Sequence, residues 1–173
     1  MISRLPETVL LEGGKLYDPY TEKTNKISIL IHNGIIKKVG KIRSNKDVSL
    51  IDCSDKIITP GFIDIHAHFR EPGREDKETL ESGALAAMAG GFTKVCVMPN
   101  TEPPLDSPES IRFIIEKSAA LPIDIVPIGA ITIGQKGEEL AEVGEMVAAG
   151  AVGISDDGLP VQNGQVLRYA LEY

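Results

Sequence analysis

The sequence predicts an α/β fold: the first half of a (β/α)8 barrel over residues 56–173, preceded by a small β-rich segment over residues 1–55. Three observations carry that reading. From Lys56 onward, apolar runs of strand length alternate with runs at helical spacing, four times over. Alternation in this order implies parallel strands joined by right-handed crossovers. Before Lys56 the apolar runs are short and separated by turn residues, and Asn33-Gly34 between two of them is a strong hairpin signal. A closed barrel takes about 250 residues, so four units leave it open.

Taken in order, residues 8–11, 15–17, 27–31 and 35–39 read as strands. A longer apolar strand follows over 57–65 and runs into His66. Residues 77–89 carry Leu80, Ala84, Ala87 and Met88 at helical spacing and stop at Gly90-Gly91. The next strand is 93–98. Pro103-Pro104 forces a loop, Ser107 offers an N-cap with Pro108 at the first helical position, and Ile111, Ile114 and Ile115 line one face of a second helix. A third strand is expected over 123–131, a turn over 134–137, a helix over 138–149 ended by Gly150, and a fourth strand over 151–154. A last helix begins near Asn163.

Composition narrows the function. A formal charge of −7 with no basic run argues against a nucleic-acid partner. Cys53 and Cys96 each sit in an apolar, strand-like run, which suits buried thiols in a reducing compartment and hence a cytoplasmic protein. The N-terminal residues hold no apolar stretch of signal-peptide length, and about 20 consecutive apolar residues occur nowhere, so a membrane partner is not expected.

The chemistry concentrates where the strand over 57–65 ends. Residues i and i+2 of a strand share a face, so His66 and His68 point the same way. Two imidazoles on one face can hold a metal ion, although two surface histidines would show the same spacing. His32, beside the Asn33-Gly34 turn, reads as an exposed turn residue. Asp64 precedes the histidines by two and four and could orient them. Arg70 offers a planar fork that clamps a carboxylate through two hydrogen bonds, and Asn100 offers donor and acceptor together. Arg70 could equally pair with Glu71 or Glu75 on the surface. Barrel chemistry lies at the C-terminal strand ends, where His66, His68, Arg70, Asn100, Asp156 and Asp157 would all converge.

The string from Pro60-Gly61 through Asp64, His66, His68 and Arg70 resembles the first metal motif of the amidohydrolase superfamily. Its continuation Arg70-Glu71-Pro72-Gly73, with Met98-Pro99-Asn100-Thr101, is similar to dihydroorotases of the long-chain bacterial type, and the likeness covers nearly the whole chain but only the first portion of a family member. It implies a metal-dependent hydrolase barrel, with residues 1–55 as part of an N-terminal β-sandwich. The implied reaction is the reversible cyclisation of N-carbamoyl-L-aspartate to L-dihydroorotate in pyrimidine biosynthesis, with one or two zinc ions as cofactor.

In Ser155-Asp156-Asp157-Gly158 the second aspartate matches the family's metal-bridging carboxylate, so Asp157 joins His66 and His68 as a ligand. Relatives often use a carbamylated lysine there, and this chain has none between Ile154 and Tyr173. Either aspartate could instead cap the turn before Gly158. Arg70 and Asn100 match the residues that hold the substrate carboxylate. The family's proton-shuttling aspartate follows the eighth strand, so no catalytic base is assigned within this chain, and the isolated chain is not expected to turn over substrate. A homodimer and an aspartate carbamoyltransferase partner are further possibilities the resemblance implies. Two rival readings are a non-catalytic subunit that scaffolds that transferase and a different cyclic amidase such as an allantoinase or dihydropyrimidinase. Arg70-Glu71-Pro72-Gly73, Met98-Pro99-Asn100-Thr101 and the missing lysine speak against the latter.

Overall fold

The computed structural model describes residues 6–43 and 48–173. The leaderless reading of the N-terminus rests partly on residues 1–5, outside the described residues. The chain divides into two compact units, Met1–Pro60 and Gly61–Tyr173.

The first unit contains β1 (Thr8–Glu12), β2 (Lys15–Asp18), β3 (Lys23–Lys26), β4 (Ser28–His32), β5 (Ile35–Gly40), β6 (Ser49–Asp52) and β7 (Ile57–Ile58). They form one sheet in the order β5-β4-β1-β6 and another in the order β3-β2-β7. Leu10 of β1 lies opposite Leu30 of antiparallel β4 and opposite Leu50 of parallel β6. Among the described residues of this unit, Val9, Leu10, Ile29 and Cys53 are the buried apolar side chains. Asn33 and Gly34 both have positive φ, +50° and +74°, the conformation that a tight hairpin turn of matching twist requires. His32 ends β4 half-buried, its Nδ1 2.8 Å from Thr8 Oγ1, so it is a strand residue and not the exposed turn residue expected.

Two of these strands were not expected. β3 is wholly polar and exposed, held by antiparallel pairing with β2, and β6 is held by parallel pairing with β1. Partner strands distant in sequence make them, which a local pattern does not reveal.

The second unit contains β8 (Phe62–Ala67), α1 (Leu80–Ala89), β9 (Phe92–Val97), α2 (Pro108–Ser118), β10 (Asp124–Pro127), a 3-10 turn (Ile133–Gln135), α3 (Val143–Ala149) and α4 (Gly164–Glu172). Its sheet is parallel, in the order β10-β9-β8. Val95 and Val97 of β9 and Ile125 of β10 meet Leu80, Ala84, Ile111, Ile114 and Met146 from the helices in one core. Ser107 caps α2 through its hydroxyl, reciprocated by Ser110, with Pro108 at the first position.

Several expected elements change. The single strand over 57–65 is two strands, β7 and β8, which belong to different sheets. Pro60 has no N–H to give a ladder, and a side chain on Gly61 would meet the Thr93 side chain at 2.2 Å, so this junction is an irregular, closely packed break. The helix expected from residue 77 starts at Leu80, because Thr79 and Ser82 form a reciprocal cap there. The strand over 123–131 shortens to β10. Residues 138–142 are not helical: Ile133 N–H donates to Glu139 O, Ala141 N–H donates to Ile131 O, and Leu140 bridges Thr132, so this stretch folds back along 131–133 before α3. The fourth strand is reduced to one parallel bridge, Gly129 with Ile154.

Candidate metal centre

His66 lies on β8 and His68 one residue past its end. Their rings sit 5.2 Å apart, centroid to centroid, at 72°. The pairing of β8 with β9 shifts register between Asp64 and Ala67, so strict alternation does not hold through the histidines. Asp64 accepts the backbone N–H of His66 at 3.0 Å, and among the described residues it makes no hydrogen bond to either ring. It steadies the strand backbone and does not orient the imidazoles.

Asp157 is brought to the pair from 89 residues further along the sequence. Its Oδ1 is 3.1 Å from His66 Nε2 and 3.8 Å from His68 Nε2. One ligand atom from each of the three residues lies within 4.8 Å of the others, and among the described residues this is the one such group that could hold a metal ion. Two neutral nitrogens and one carboxylate oxygen around a common point are the donor set of a hydrolytic zinc site, which leaves a position open for water. The residues therefore fit the ion.

The turn that delivers Asp157 has a specific build. Asp157 adopts φ +54°, and its N–H donates to Ser155 Oγ at 3.0 Å. Asp156 is 3% exposed, and its carboxylate accepts N–H groups of Ile131 and Thr132 at 2.8 and 3.1 Å together with the Thr132 hydroxyl. Thr132 Oγ1 in turn accepts Gly137 N–H at 2.9 Å. The two consecutive aspartates thus face different tasks, one into the loop after β10 and one toward the histidines.

Asn100, three residues past β9, reaches the same cluster. Its Oδ1 is 2.8 Å from His68 Nδ1, and its Nδ2 donates to Asp157 Oδ2 at 2.9 Å. Arg70 is half-buried with φ +62°, and among the described residues it makes no ion pair. The alternative partners are engaged elsewhere: Glu75 accepts Gly73 N–H through both oxygens, and Glu71 is 4% exposed, accepting Leu80 N–H at 2.7 Å and the Lys117 ammonium. No side-chain hydrogen bond joins Arg70 to the histidine cluster among the described residues.

Sequence reasoning missed the Asp156–Thr132 brace and the Glu71–Lys117 pair. An acidic residue locked between Arg70 and Pro72 in a motif was the available signal for Glu71. For Thr132 there was none. Cys96, half-buried on β9, has its thiol pushed up by burial and by the nearby Asp64 carboxylate, so it is held as a neutral thiol.

Residues 55–171 match the profile of the family described as dihydro-orotase-like. A dihydroorotase of Solibacter usitatus is 46% identical over 166 residues, 95% of this chain and 39% of that protein. The chain therefore spans about two fifths of the length of that relative, its N-terminal portion. Among solved structures, an L-hydantoinase (dihydropyrimidinase) from Arthrobacter aurescens superposes with a TM-score of 0.70 at 24% identity, over 84% of this chain and 32% of the other. An N-acyl-D-glutamate deacylase from Bordetella bronchiseptica, complexed with zinc and a phosphonate inhibitor, superposes with a TM-score of 0.62 at 24% identity, over 95% and 41%. These likenesses show the fold alone, the N-terminal part of a (β/α)8 barrel.

Proposed function

We infer the function from one premise, that this chain belongs to the dihydro-orotase-like family. The reading is that it carries the first portion of a dihydroorotase, which closes N-carbamoyl-L-aspartate to L-dihydroorotate with loss of water and reopens the ring in reverse. The observation that carries it is the convergence of His66, His68 and Asp157 within 4.8 Å. Zinc is the proposed ion, held by those three residues. When bound it would polarise the ring amide carbonyl and make water nucleophilic near neutral pH.

The chain's own residues supply binding and orientation. Arg70 presents five N–H donors in a fixed fork, the match for the carboxylate that substrate and product share. Asn100 still has one amide N–H beyond the one given to Asp157, and that hydrogen serves the same carboxylate. Ala67, between the two histidines, pairs with Val97 of β9 and accepts Met98 N–H at 2.9 Å, which holds the backbone on which both rings are carried. Residues 1–55 are read as the β-sandwich segment and 56–173 as the first four βα units, supported by the all-strand content of the former among its described residues. Two free cysteines support a reducing, cytoplasmic setting, and no helix among the described residues is long and apolar enough to cross a membrane.

Calorimetric titration of the purified chain with zinc tests this, followed by titration of the loaded chain with carbamoyl-aspartate. The expected result is zinc binding that Asp157→Ala weakens by at least about 100-fold, and ligand binding that Arg70→Ala removes without loss of zinc. A wild-type chain that takes up no zinc overturns the reading.

A further inference from the structure

We propose that Asn100 is a positioning residue for the metal site itself, fixing the tautomer of His68 and tethering Asp157 beside it; this rests on the reading above and assigns Asn100 a task in addition to holding substrate. The orientation of its amide follows from its neighbours. Asp157 Oδ2 is a carboxylate oxygen and can only accept, so the group facing it at 2.9 Å must be the amide nitrogen. That leaves the amide oxygen facing His68 Nδ1 at 2.8 Å, and an amide oxygen can only accept as well.

His68 Nδ1 must therefore carry the proton. In a neutral imidazole the other nitrogen is then bare, and Nε2 is the atom that lies 3.8 Å from Asp157 Oδ1, on the side where the three ligand atoms gather. Free imidazole side chains do not default to this tautomer, so Asn100 selects it. The same amide holds the Asp157 carboxylate by one oxygen while the other, Oδ1, stands 3.1 Å from His66 Nε2.

The two histidines differ in this respect. His68 is 28% exposed at its side chain and hydrogen-bonded at Nδ1, whereas His66 is 57% exposed, and among the described residues no side chain bonds its Nδ1. His68 is the prepared ligand and His66 the adaptable one. Asn100 also joins ion and substrate: its remaining amide hydrogen can reach a bound carboxylate only while its other two contacts hold it in place.

The test uses the full chain with ¹⁵N-labelled histidine. Long-range ¹H–¹⁵N correlation spectra identify the tautomer of each ring without any metal, and zinc calorimetry gives affinity. In the wild type, His68 is expected in the Nδ1–H form; in Asn100→Ala it should shift toward Nε2–H, with zinc affinity down about 10–100-fold, the range for losing such a supporting partner. Asn100→Asp retains an acceptor for Nδ1 but sets a like charge against Asp157, so it should keep the His68 tautomer and still bind zinc differently from wild type. Wild-type His68 in the Nε2–H form, or Asn100→Ala binding zinc within about twofold of wild type, overturns the proposal. A wild-type chain that binds no zinc defeats the functional reading instead, while the tautomer spectra still decide the role of Asn100.

Discussion

Two segments deliver the three candidate ligands, and they are built on different principles. His66 and His68 ride on β8 and its exit, where parallel pairing to β9 holds the backbone and Met98 N–H closes onto Ala67 O at 2.9 Å. Asp157 rides on a turn with φ +54°, where side chains do that work: Ser155 takes its N–H, and Asp156 ties the turn to the loop after β10. Each segment has a nearly buried carboxylate beside its ligands, Glu71 at 4% exposed and Asp156 at 3%. Glu71 holds a helix start and an exposed lysine, and Asp156 holds three donors of one loop. A ladder spreads its hold over many backbone bonds, whereas a brace concentrates it in one side chain, so the two ligand sets should fail differently when the neighbouring carboxylate is removed.

The largest effect is expected at the brace. Asp156→Ala leaves the N–H groups of Ile131 and Thr132 and the Thr132 hydroxyl without their acceptor. At about 1–3 kcal/mol for each orphaned donor, partly recovered by water, the loss should be about 3–5 kcal/mol in urea unfolding. The turn then no longer holds Asp157 toward the histidines, and zinc affinity should fall about 10–100-fold. Retained affinity in a destabilised Asp156→Ala chain would show that Ser155 alone sets the turn.

Glu71→Ala makes the opposite case. It removes the acceptor for Leu80 N–H at the first turn of α1, a loss of about 1–2 kcal/mol on the scale of helix caps. Lys117, half exposed, is returned to water at little cost. Because the backbone between the histidines is held by Ala67 pairing with Val97, and Glu71 makes no hydrogen bond to a ligand among the described residues, zinc affinity should stay within about twofold. Calorimetry on this variant beside Asp156→Ala separates the two modes of support, and a collapse of zinc binding in Glu71→Ala would erase the distinction.

The same contrast explains what the sequence could disclose. Strand and helix order in the second unit was legible because Val95, Val97, Ile111 and Ile114 follow the periods of their elements and are buried accordingly. The capped start of α2 was legible from Ser107 and Pro108, which act locally. The start of the third helix was not legible, because 138–142 satisfies its backbone against 131–133 and not within a helix, and the fourth strand is short because, among the described residues, 152–155 bonds only to 127–129 at and beyond the end of β10. At the site, the spacing of His66 and His68 is a local pattern, whereas Asn100 between His68 and Asp157 depends on contacts across 32 and 57 residues. Asp64 shows the limit from the other side: its place in an alternating pattern suggested the imidazole face, and its carboxylate instead accepts the backbone N–H two residues on.

The smallest expected effect concerns pH and belongs to the strand-borne segment. The Lys117 ammonium is held above its usual range by its hydrogen bond to Glu71, which outweighs desolvation, with smaller contributions from the charges of Glu71 and Glu75. A basic group whose folded pKa is raised favours the folded state while it is protonated. That contribution is complete below the unfolded value of 10.5 and disappears as pH climbs through the higher folded value. With Lys117 half exposed, solvent screening keeps it below about 1 kcal/mol. Lys117→Met keeps an unbranched side chain while deleting the ammonium, which lies 5.3 Å from the centroid of the Phe113 ring. The melting temperature of wild type should exceed that of Lys117→Met by a few degrees at about pH 8 and converge with it as pH climbs past the raised folded value. A gap that persists unchanged as pH rises would mean that the ammonium on Glu71 is not what steadies this segment.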